Sequence, residues 1–363
     1  MGLDVARGVA IIGMVGAHVG GVPQFDWVEP VTWFGLVHGR SSLLFAMLAG
    51  VSIALMTGRS RRPAPEQLPY LRLSLIGRGM AIFVIGVLLE LLHTPAAIIL
   101  TMYGVLYAIA ILFLRWSPRR LLITATLIGV LGPPVLAAFN ALTLMPFGPG
   151  LSMTVNGMYP ITVWVAMMLV GMAIGQMPLQ RTRTAVWIVV TGVAVAFIGY
   201  ALGIVAYALG WAREQTYAGY SNEAASWGTY PERLAEFDLW GSVVRAFVAV
   251  DPHTGGTAET VGSGGFVLAV IGLCLLLVRV MRVPLLPLAA LGAMPLTAYT
   301  LHLVAIVAIV GPAGSLSTPV MWVWFTVALL VGATVWSALV GRGPLERLVG
   351  WAARRMVGTT APS

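Results

Sequence analysis

Residues 185–210 read AVWIVVTGVAVAFIGYALGIVAYALG and contain no charged side chain. A helix needs about 20 residues to cross the hydrocarbon core of a bilayer, so this stretch is long enough to span a membrane. Similar apolar stretches, with boundaries good to about three residues, occur at 5–22, 41–57, 75–93, 96–114, 121–145, 158–177, 262–278, 285–311 and 320–341. The sequence therefore predicts an all-α polytopic membrane protein of about ten transmembrane helices.

The composition supports the same conclusion. The chain has 363 residues, of which 59% are hydrophobic and 9% are charged, whereas a soluble domain carries about 25% charged residues. Such a chain could not keep a polar surface in water, so membrane lipids are its expected surroundings. We expect a single transmembrane domain over residues 1–363. The use of Arg without Lys, together with the many Ala, Gly and Val residues, favours a GC-rich bacterial genome and hence a multi-pass protein of a bacterial plasma membrane.

The arginines predict the topology. If the N-terminus is inside, every segment between spans that falls on the inside is rich in Arg. The segments that fall on the outside contain few Arg residues and most of the acids, as the positive-inside rule requires. The inside set is Arg59, Arg61, Arg62, Arg72, Arg115, Arg119, Arg120, Arg181, Arg183, Arg279 and Arg282, with Arg78 at a helix end and Arg342, Arg347, Arg354 and Arg355 in the tail. We therefore expect a cytoplasmic N-terminus and a long outer loop at about 211–261. Because the net charge of +8 is spread over these short clusters, we expect no nucleic-acid partner.

The first span carries three ionisable residues, Asp4, Arg7 and His18. Arg7 and His18 are eleven residues apart, so they share one helix face within roughly 20° and lie roughly 16 Å apart along the axis. Asp4 and Arg7 form an i, i+3 pair that can neutralise itself. Ionisable groups inside a membrane are costly and suggest function. The alternative is a structural ion pair and an interfacial histidine.

All five histidines fall on the predicted outer side, and a histidine is well suited to proton transfer near neutral pH. They are His18, His38, His93, His253 and His302, and Glu90 and Asp251 lie near two of them in sequence. For His18, with Arg7 on the same helix face, we favour a functional role. For the other four, an interfacial or hydrogen-bonded structural role is the favoured interpretation.

Two further segments combine polar side chains with a helix start. His38, Arg40, Ser41 and Ser42 open the second span, where a helix N-terminus can bind an anion or a carbonyl oxygen. An ordinary helix start with small residues for packing is an equal alternative. Tyr299 and His302 lie one turn apart after Pro295, and there a proline kink with packing is the stronger interpretation.

The chain also resembles known families. Leu3-Asp4-Val5-Ala6-Arg7-Gly8, followed ten residues after the Arg by His18, resembles the signature of the acyltransferase-3 family. Residues 38–52, 252–266 and 343–346 resemble a bacterial branch of the same superfamily, whose members are heparan-alpha-glucosaminide N-acetyltransferase-like. The resemblance covers most of the chain.

The resemblance implies a multispan enzyme that moves an acyl group, usually acetyl from acetyl-CoA, to an acceptor across the membrane. Arg7 would then help to hold the acyl-CoA donor and His18 would serve the transfer. The acceptor would be a cell-envelope glycan or lipid on the outer side. The lysosomal relative is expected to use a His shortly before a Trp-Asn-Gly sequence. This chain departs from that pattern, because no His precedes Trp33-Phe34-Gly35 in the same loop and the nearest is His38, which follows it. His38 is therefore a second candidate for the base.

Acyl transfer needs a base for the acceptor proton and a donor for the developing oxyanion. His18 or His38 is the candidate base. Arg40 or helix amides are the candidate donors to the oxyanion. Arg7 and Arg78 form the candidate site for the CoA phosphates. The supporting residues are Asp4, Ser41, Ser42, Glu90, Asp251, His253, Tyr299 and His302, and we expect no metal.

Two other functions are compatible with the pattern. A proton-coupled transporter or flippase would use Arg7, Glu90 and His302 as an intramembrane path. A non-catalytic scaffold, or a metal site built from the outer histidines, is the third possibility.

Overall fold

The computed structural model describes residues 1–21, 23, 29–143, 149–155, 160–211, 227–236 and 239–358. Within these ranges the regular elements are helices, and strands are absent. The helices are α1 (Gly2–Val19), α2 (Arg40–Met56), α3 (Leu68–Glu90), α4 (Leu100–Ala110), α5 (Pro118–Leu142), α6 (Pro149–Thr154), α7 (Ile161–Gly175), α8 (Thr182–Ala208), α9 (Tyr230–Glu236), α10 (Leu239–Val248), α11 (Thr257–Val280), α12 (Leu286–Ala293), α13 (Pro295–Val310), α14 (Pro319–Leu339) and α15 (Pro344–Gly358). Short 3₁₀ helices cover Pro30–Val37, Pro65–Gln67 and Ile111–Phe113.

The prediction of an all-α polytopic membrane protein is confirmed. Seven helices in the described ranges are long and apolar enough to cross a membrane, and they are based on α1, α2, α3, α5, α8, α11 and α14. The stretch predicted at 285–311 is not one straight span, because α12 and α13 meet at an angle of 85°. The side of the membrane on which the N-terminus lies stays a prediction.

Two predicted spans are shorter than a full crossing. The fourth is the apolar helix Leu100–Phe113 and the sixth is α7. Nearly every residue of α7 is buried, so this helix is surrounded by protein and its length need not match the thickness of the lipid. It packs closely on α2, because a Cβ at Gly171 would come within 1.9 Å of the Met47 carbonyl oxygen. Small residues allow such close helix contacts in membranes.

Helices also occur where the sequence analysis predicted loop or tail. In the predicted outer loop at 211–261, α9 and α10 form, and α11 begins at Thr257 rather than near 262. Several charged residues used in the topology argument, namely Asp26, Arg213, Glu214, Glu223 and Asp238, lie outside the described residues. The tail forms α15, which packs on α3 where Met356 faces Gly77. Its apolar residues lie on one face of the helix and its polar residues on the other, so a search for continuous apolar stretches misses it.

Candidate functional site

His18 and His302 meet at the C-terminal end of α1. Nδ1 of His18 lies 2.9 Å from Nε2 of His302. The two rings are nearly parallel, at 15°, with their centroids 5.2 Å apart. His302 is 1% exposed, whereas His18 is partly exposed. A histidine that can reach a ligand is therefore backed by one that is enclosed in the protein.

Tyr299 lies one turn before His302, and its ring is nearly perpendicular to the rings of both histidines. Its hydroxyl donates to the Ala97 carbonyl oxygen at 3.2 Å and accepts from the Ile99 amide at 3.4 Å. Tyr299 thus ties α13 to the segment that begins α4. The bend before Pro295 agrees with the kink and packing that the sequence predicted for this segment.

Glu346, in the segment 343–346 near the end of the chain, caps the start of α13. The Glu346 carboxylate accepts from the Leu296 amide at 2.8 Å, from the Thr297 amide at 3.2 Å and from the Thr297 hydroxyl at 2.6 Å. The first amides of a helix have no partner within the helix, and a carboxylate also stabilises the positive end of the helix dipole. Glu346 therefore fixes the end of the helix that carries Tyr299 and His302.

His38 joins the outer histidines. It lies between the 3₁₀ helix Pro30–Val37 and α2, and it acts electrostatically on both His18 and His253. His93 is exposed and sits at the end of α3, where its backbone carbonyl accepts from the Ala313 amide at 2.8 Å. Within the described ranges, no three His, Cys, Asp or Glu side chains lie close enough together to hold a metal ion. Of the five histidines, the structure therefore links His18, His38, His253 and His302.

His253 is positioned by a buried carboxylate that the sequence analysis did not select. Glu259 is 1% exposed and accepts from the His253 amide at 2.9 Å, the Gly255 amide at 2.8 Å and the Thr254 hydroxyl at 3.0 Å. These bonds hold the turn in which His253 adopts a positive φ of 70°. Burial of the ring, and after it the charge of His38, lowers the pKa of His253 to about 4, although the residue as a whole is exposed. His253 is therefore neutral at pH 7.

Two predicted acids lie at the surface. Asp251 is exposed, and its backbone carbonyl accepts from the Thr254 hydroxyl at 2.9 Å. Glu90 is exposed at the C-terminal end of α3. The structure thus places Glu90 at the end of a candidate membrane-spanning helix.

The polar residues at the start of α2 have different partners: Arg40 contacts aromatic residues of other helices, and Ser41 and Ser42 bond within their own segment. Arg40 is 7% exposed, its Nε donates to the Tyr200 hydroxyl at 2.7 Å, and its guanidinium lies over the rings of Tyr200 and Phe266. The Ser41 hydroxyl donates to the Val37 carbonyl and the Ser42 hydroxyl donates to the Gly39 carbonyl. Both serine protons are used within their own segment, which agrees with the packing alternative for the serines.

Ser41 also lies against α1. A Cβ at Gly13 would come within 2.1 Å of the Ser41 hydroxyl oxygen. The absence of a side chain at Gly13 therefore lets the start of α2 approach α1 midway between Arg7 and His18.

The arginines predicted as a donor site converge at the other end of α1. Arg7 forms the expected ion pair with Asp4, and its Nη2 donates to the Ser52 hydroxyl on α2 at 2.9 Å. Arg7 and Arg78 both act electrostatically on Tyr107 of α4. Helices α1, α3 and α4 therefore bring two guanidinium groups within electrostatic range of one tyrosine.

A row of tyrosines connects the two ends. Tyr103 is 2% exposed, acts electrostatically with both Tyr107 and Tyr299, and donates to the Ser42 carbonyl at 3.0 Å. The signal that could have identified Tyr103 and Tyr107 is their i, i+4 spacing in an apolar helix, since a buried tyrosine hydroxyl needs a partner. Polar groups thus extend from the arginines, past the tyrosines, to the histidines.

The family described as "Heparan-alpha-glucosaminide N-acetyltransferase, catalytic" matches residues 1–204, more than half of the chain. The matched part contains α1 to α7 and most of α8, with Arg7, His18 and His38. His253 and His302 follow it. No curated protein matches the chain.

Proposed function

Because the chain belongs to the heparan-alpha-glucosaminide N-acetyltransferase family, we propose that it transfers an acetyl group from acetyl-CoA to a hydroxyl or amine acceptor across the membrane. The observation that carries the proposal is the pairing of two sites on one membrane-spanning helix. A hydrogen-bonded histidine pair lies at one end of α1, and the arginine site around Tyr107 lies at the other.

The spacing of the two sites suits the donor. Arg7 and His18 lie roughly 16 Å apart along α1 at 1.5 Å per residue. A pantetheine arm has about a dozen bonds between its phosphate oxygen and its sulfur, which is about 14 Å for an extended chain. A donor whose phosphates contact Arg7 and Arg78 would therefore place its thioester near His18. Arginine is well suited to this task because its planar guanidinium binds phosphate oxygens in pairs.

The residues of this chain supply acid-base chemistry. His18 removes the proton from the acceptor hydroxyl or amine, and the acceptor oxygen or nitrogen forms a bond to the thioester carbonyl carbon. The tetrahedral intermediate collapses with cleavage of the carbon–sulfur bond. The His18 imidazolium then returns the proton to the CoA thiolate, so the products are the acylated acceptor and CoA. For the oxyanion we propose Arg40, which opens α2 beside His38 and is held by Tyr200.

We propose His18 as the base because its ring has the partner expected of an activated acid-base residue. A catalytic base is oriented by a third group bonded to its second nitrogen, and His302 occupies that position. His38 lies within electrostatic range of His18 and remains the alternative base.

The acceptor is proposed to be a glycan or lipid of the cell envelope, and the membrane a bacterial plasma membrane. His38 is within electrostatic range of both His18 and His253, and His253 is exposed, so we propose that the acceptor approaches from that side. In the predicted topology this is the outer side.

The test uses the purified full chain in lipid nanodiscs. Binding of acetyl-CoA is measured by calorimetry, and transfer is followed with radiolabelled acetyl-CoA and amino-sugar or lipid-linked acceptors. His18→Ala should lower kcat by about 10²–10⁴-fold with little change in donor affinity, because the base acts in the transition state. Arg7→Ala should instead weaken donor binding.

His38→Ala separates the two candidate bases. Full activity in His18→Ala with a loss in His38→Ala would show that His38 is the base. A wild type that neither binds acetyl-CoA nor transfers acetyl would refute the proposed function. Flux of a substrate through liposomes without transfer would favour the transporter.

A further inference from the structure

The backbone acceptor beside His302 determines which ring nitrogen of each histidine carries a hydrogen. His302 is 1% exposed, and its Nδ1 lies 3.3 Å from the Ala298 carbonyl oxygen. A carbonyl oxygen accepts and never donates, so Nδ1 of His302 carries a hydrogen.

The second nitrogen of His302 then decides the state of His18. In a neutral imidazole one nitrogen donates and the other accepts, so Nε2 of neutral His302 is an acceptor. Its partner at 2.9 Å is Nδ1 of His18, which must therefore carry the hydrogen. The remaining nitrogen of His18, Nε2, keeps its lone pair.

We infer that His302 is a positioning residue that fixes the tautomer of His18, so that Nε2 of His18 is the basic atom. The chain of donors runs from His18 through His302 to the Ala298 carbonyl oxygen. As His18 takes a proton on Nε2, its Nδ1–H bond to His302 strengthens and spreads the positive charge over both rings. The catalytic meaning of this assignment rests on the proposed function, whereas the tautomer itself can be measured without any activity.

The partner is a neutral ring, unlike the carboxylate that orients the histidine in a serine protease. A neutral acceptor selects the tautomer without placing a full negative charge in the membrane, where a charge is costly. Exchange of the ring for another neutral acceptor should therefore preserve the function.

Two variants of His302 test this. His302→Gln places an amide oxygen at about the position of Nε2, where it can still accept from Nδ1 of His18. His302→Leu keeps a comparable volume but provides no acceptor. We expect kcat to fall on the order of 10- to 100-fold in the Leu variant, part of what general-base catalysis supplies, with KM for the donor unchanged. The Gln variant should recover most of this loss.

Thr300→Val is the matched control. Thr300 lies on the same helix, and its buried hydroxyl has no hydrogen-bond partner among the described residues. Valine is nearly isosteric, so this variant should keep the wild-type kcat. A fall as large as that in the Leu variant would show that kcat reports only disturbance of α13, and would overturn the inference.

The tautomer is read directly by ¹⁵N NMR of the full chain labelled at histidine nitrogens, with His18 and His302 assigned from their variants. We expect both rings to carry the hydrogen on Nδ1 in the wild type, and His18 to become a mixture of tautomers in the Leu variant. A wild-type His18 that is protonated on Nε2 would overturn the inference, whatever the activity. Equal kcat in wild type, Leu and Gln variants would do so as well. If the wild type transfers nothing, the proposed function fails, and the NMR result alone decides the assignment.

Discussion

Replacement of Glu346 tests how α13 is held in place. Its carboxylate accepts two backbone amides and one hydroxyl at the start of α13, at 2.8, 3.2 and 2.6 Å. Hydrogen bonds to a charged group contribute about 1.5–3 kcal/mol each when counted singly, but loss of a helix cap costs about 0.5–2 kcal/mol in total. Because Glu346 is partly buried and serves three donors, we expect Glu346→Ala to cost about 2 kcal/mol.

Glu346→Gln should cost about half as much, because its amide oxygen still accepts but neutral hydrogen bonds are roughly half as strong as charged ones. At about 2.1 cal/mol/K of unfolding entropy per residue, a loss of about 2 kcal/mol in a chain of 363 residues corresponds to a fall in Tm of about 3 °C. The twelve tryptophans allow unfolding to be followed by intrinsic fluorescence in detergent at one fixed scan rate. Since α13 carries His302, kcat should fall together with Tm.

Thr297→Val and Glu66→Ala complete the experiment. Thr297→Val removes the hydroxyl that donates to Glu346. The double variant Thr297→Val/Glu346→Ala should therefore lose less stability than the sum of the two single losses. Glu66 is exposed, and its replacement should change stability by no more than about 0.5 kcal/mol. The capping role would be refuted if Glu346→Ala had the same Tm as Glu66→Ala. It would also be refuted if the stability losses of Thr297→Val and Glu346→Ala were fully additive in the double variant.

Two further predictions concern the Arg7 end of α1 and the topology. Arg7→Ala leaves the Asp4 carboxylate without its ion pair, so the double variant with Asp4→Ala should melt at a higher temperature than the less stable single variant; a double variant as unstable as that one would contradict the pairing. The topology is tested in a chain in which Cys274 is replaced by Ala. A cysteine introduced at exposed Ser60 should react with an impermeant maleimide from the cytoplasmic side, and one introduced at exposed Gly228 should react from the outside. The reverse pattern would overturn the topology.

The sequence by itself determined the features that depend on near neighbours in the chain. Long apolar stretches such as 185–210 predicted membrane helices, because a bilayer leaves few other ways to satisfy the backbone. The three-residue spacing of Asp4 and Arg7 predicted their ion pair, because residues three apart lie on one helix face. The sequence also showed a resemblance to heparan-alpha-glucosaminide N-acetyltransferases, and the match over residues 1–204 confirms that family.

Hydropathy was insufficient where a helix is surrounded by protein. The stretch 285–311 is as apolar as a straight span, yet the chain turns through 85° between α12 and α13. Burial of α7 among other helices removes the need for a full membrane length. The bend falls at Pro295, which the sequence had marked as a kink. The burial of α7 is set by the neighbouring helices, about which a count of apolar residues contains no information.

The site itself was decided by tertiary structure. His18 and His302 are 284 residues apart in sequence, and both the ring of His302 and its Ala298 acceptor lie on a helix that follows the bend. Glu346 comes from the tail and caps that helix. Tyr103 and Tyr107 attracted no notice in the sequence, because a tyrosine in an apolar helix gains a role only from the groups its hydroxyl meets. Hydrogen bonds form between atoms about 3 Å apart, and for residues so distant in the chain that proximity is created by helix packing alone.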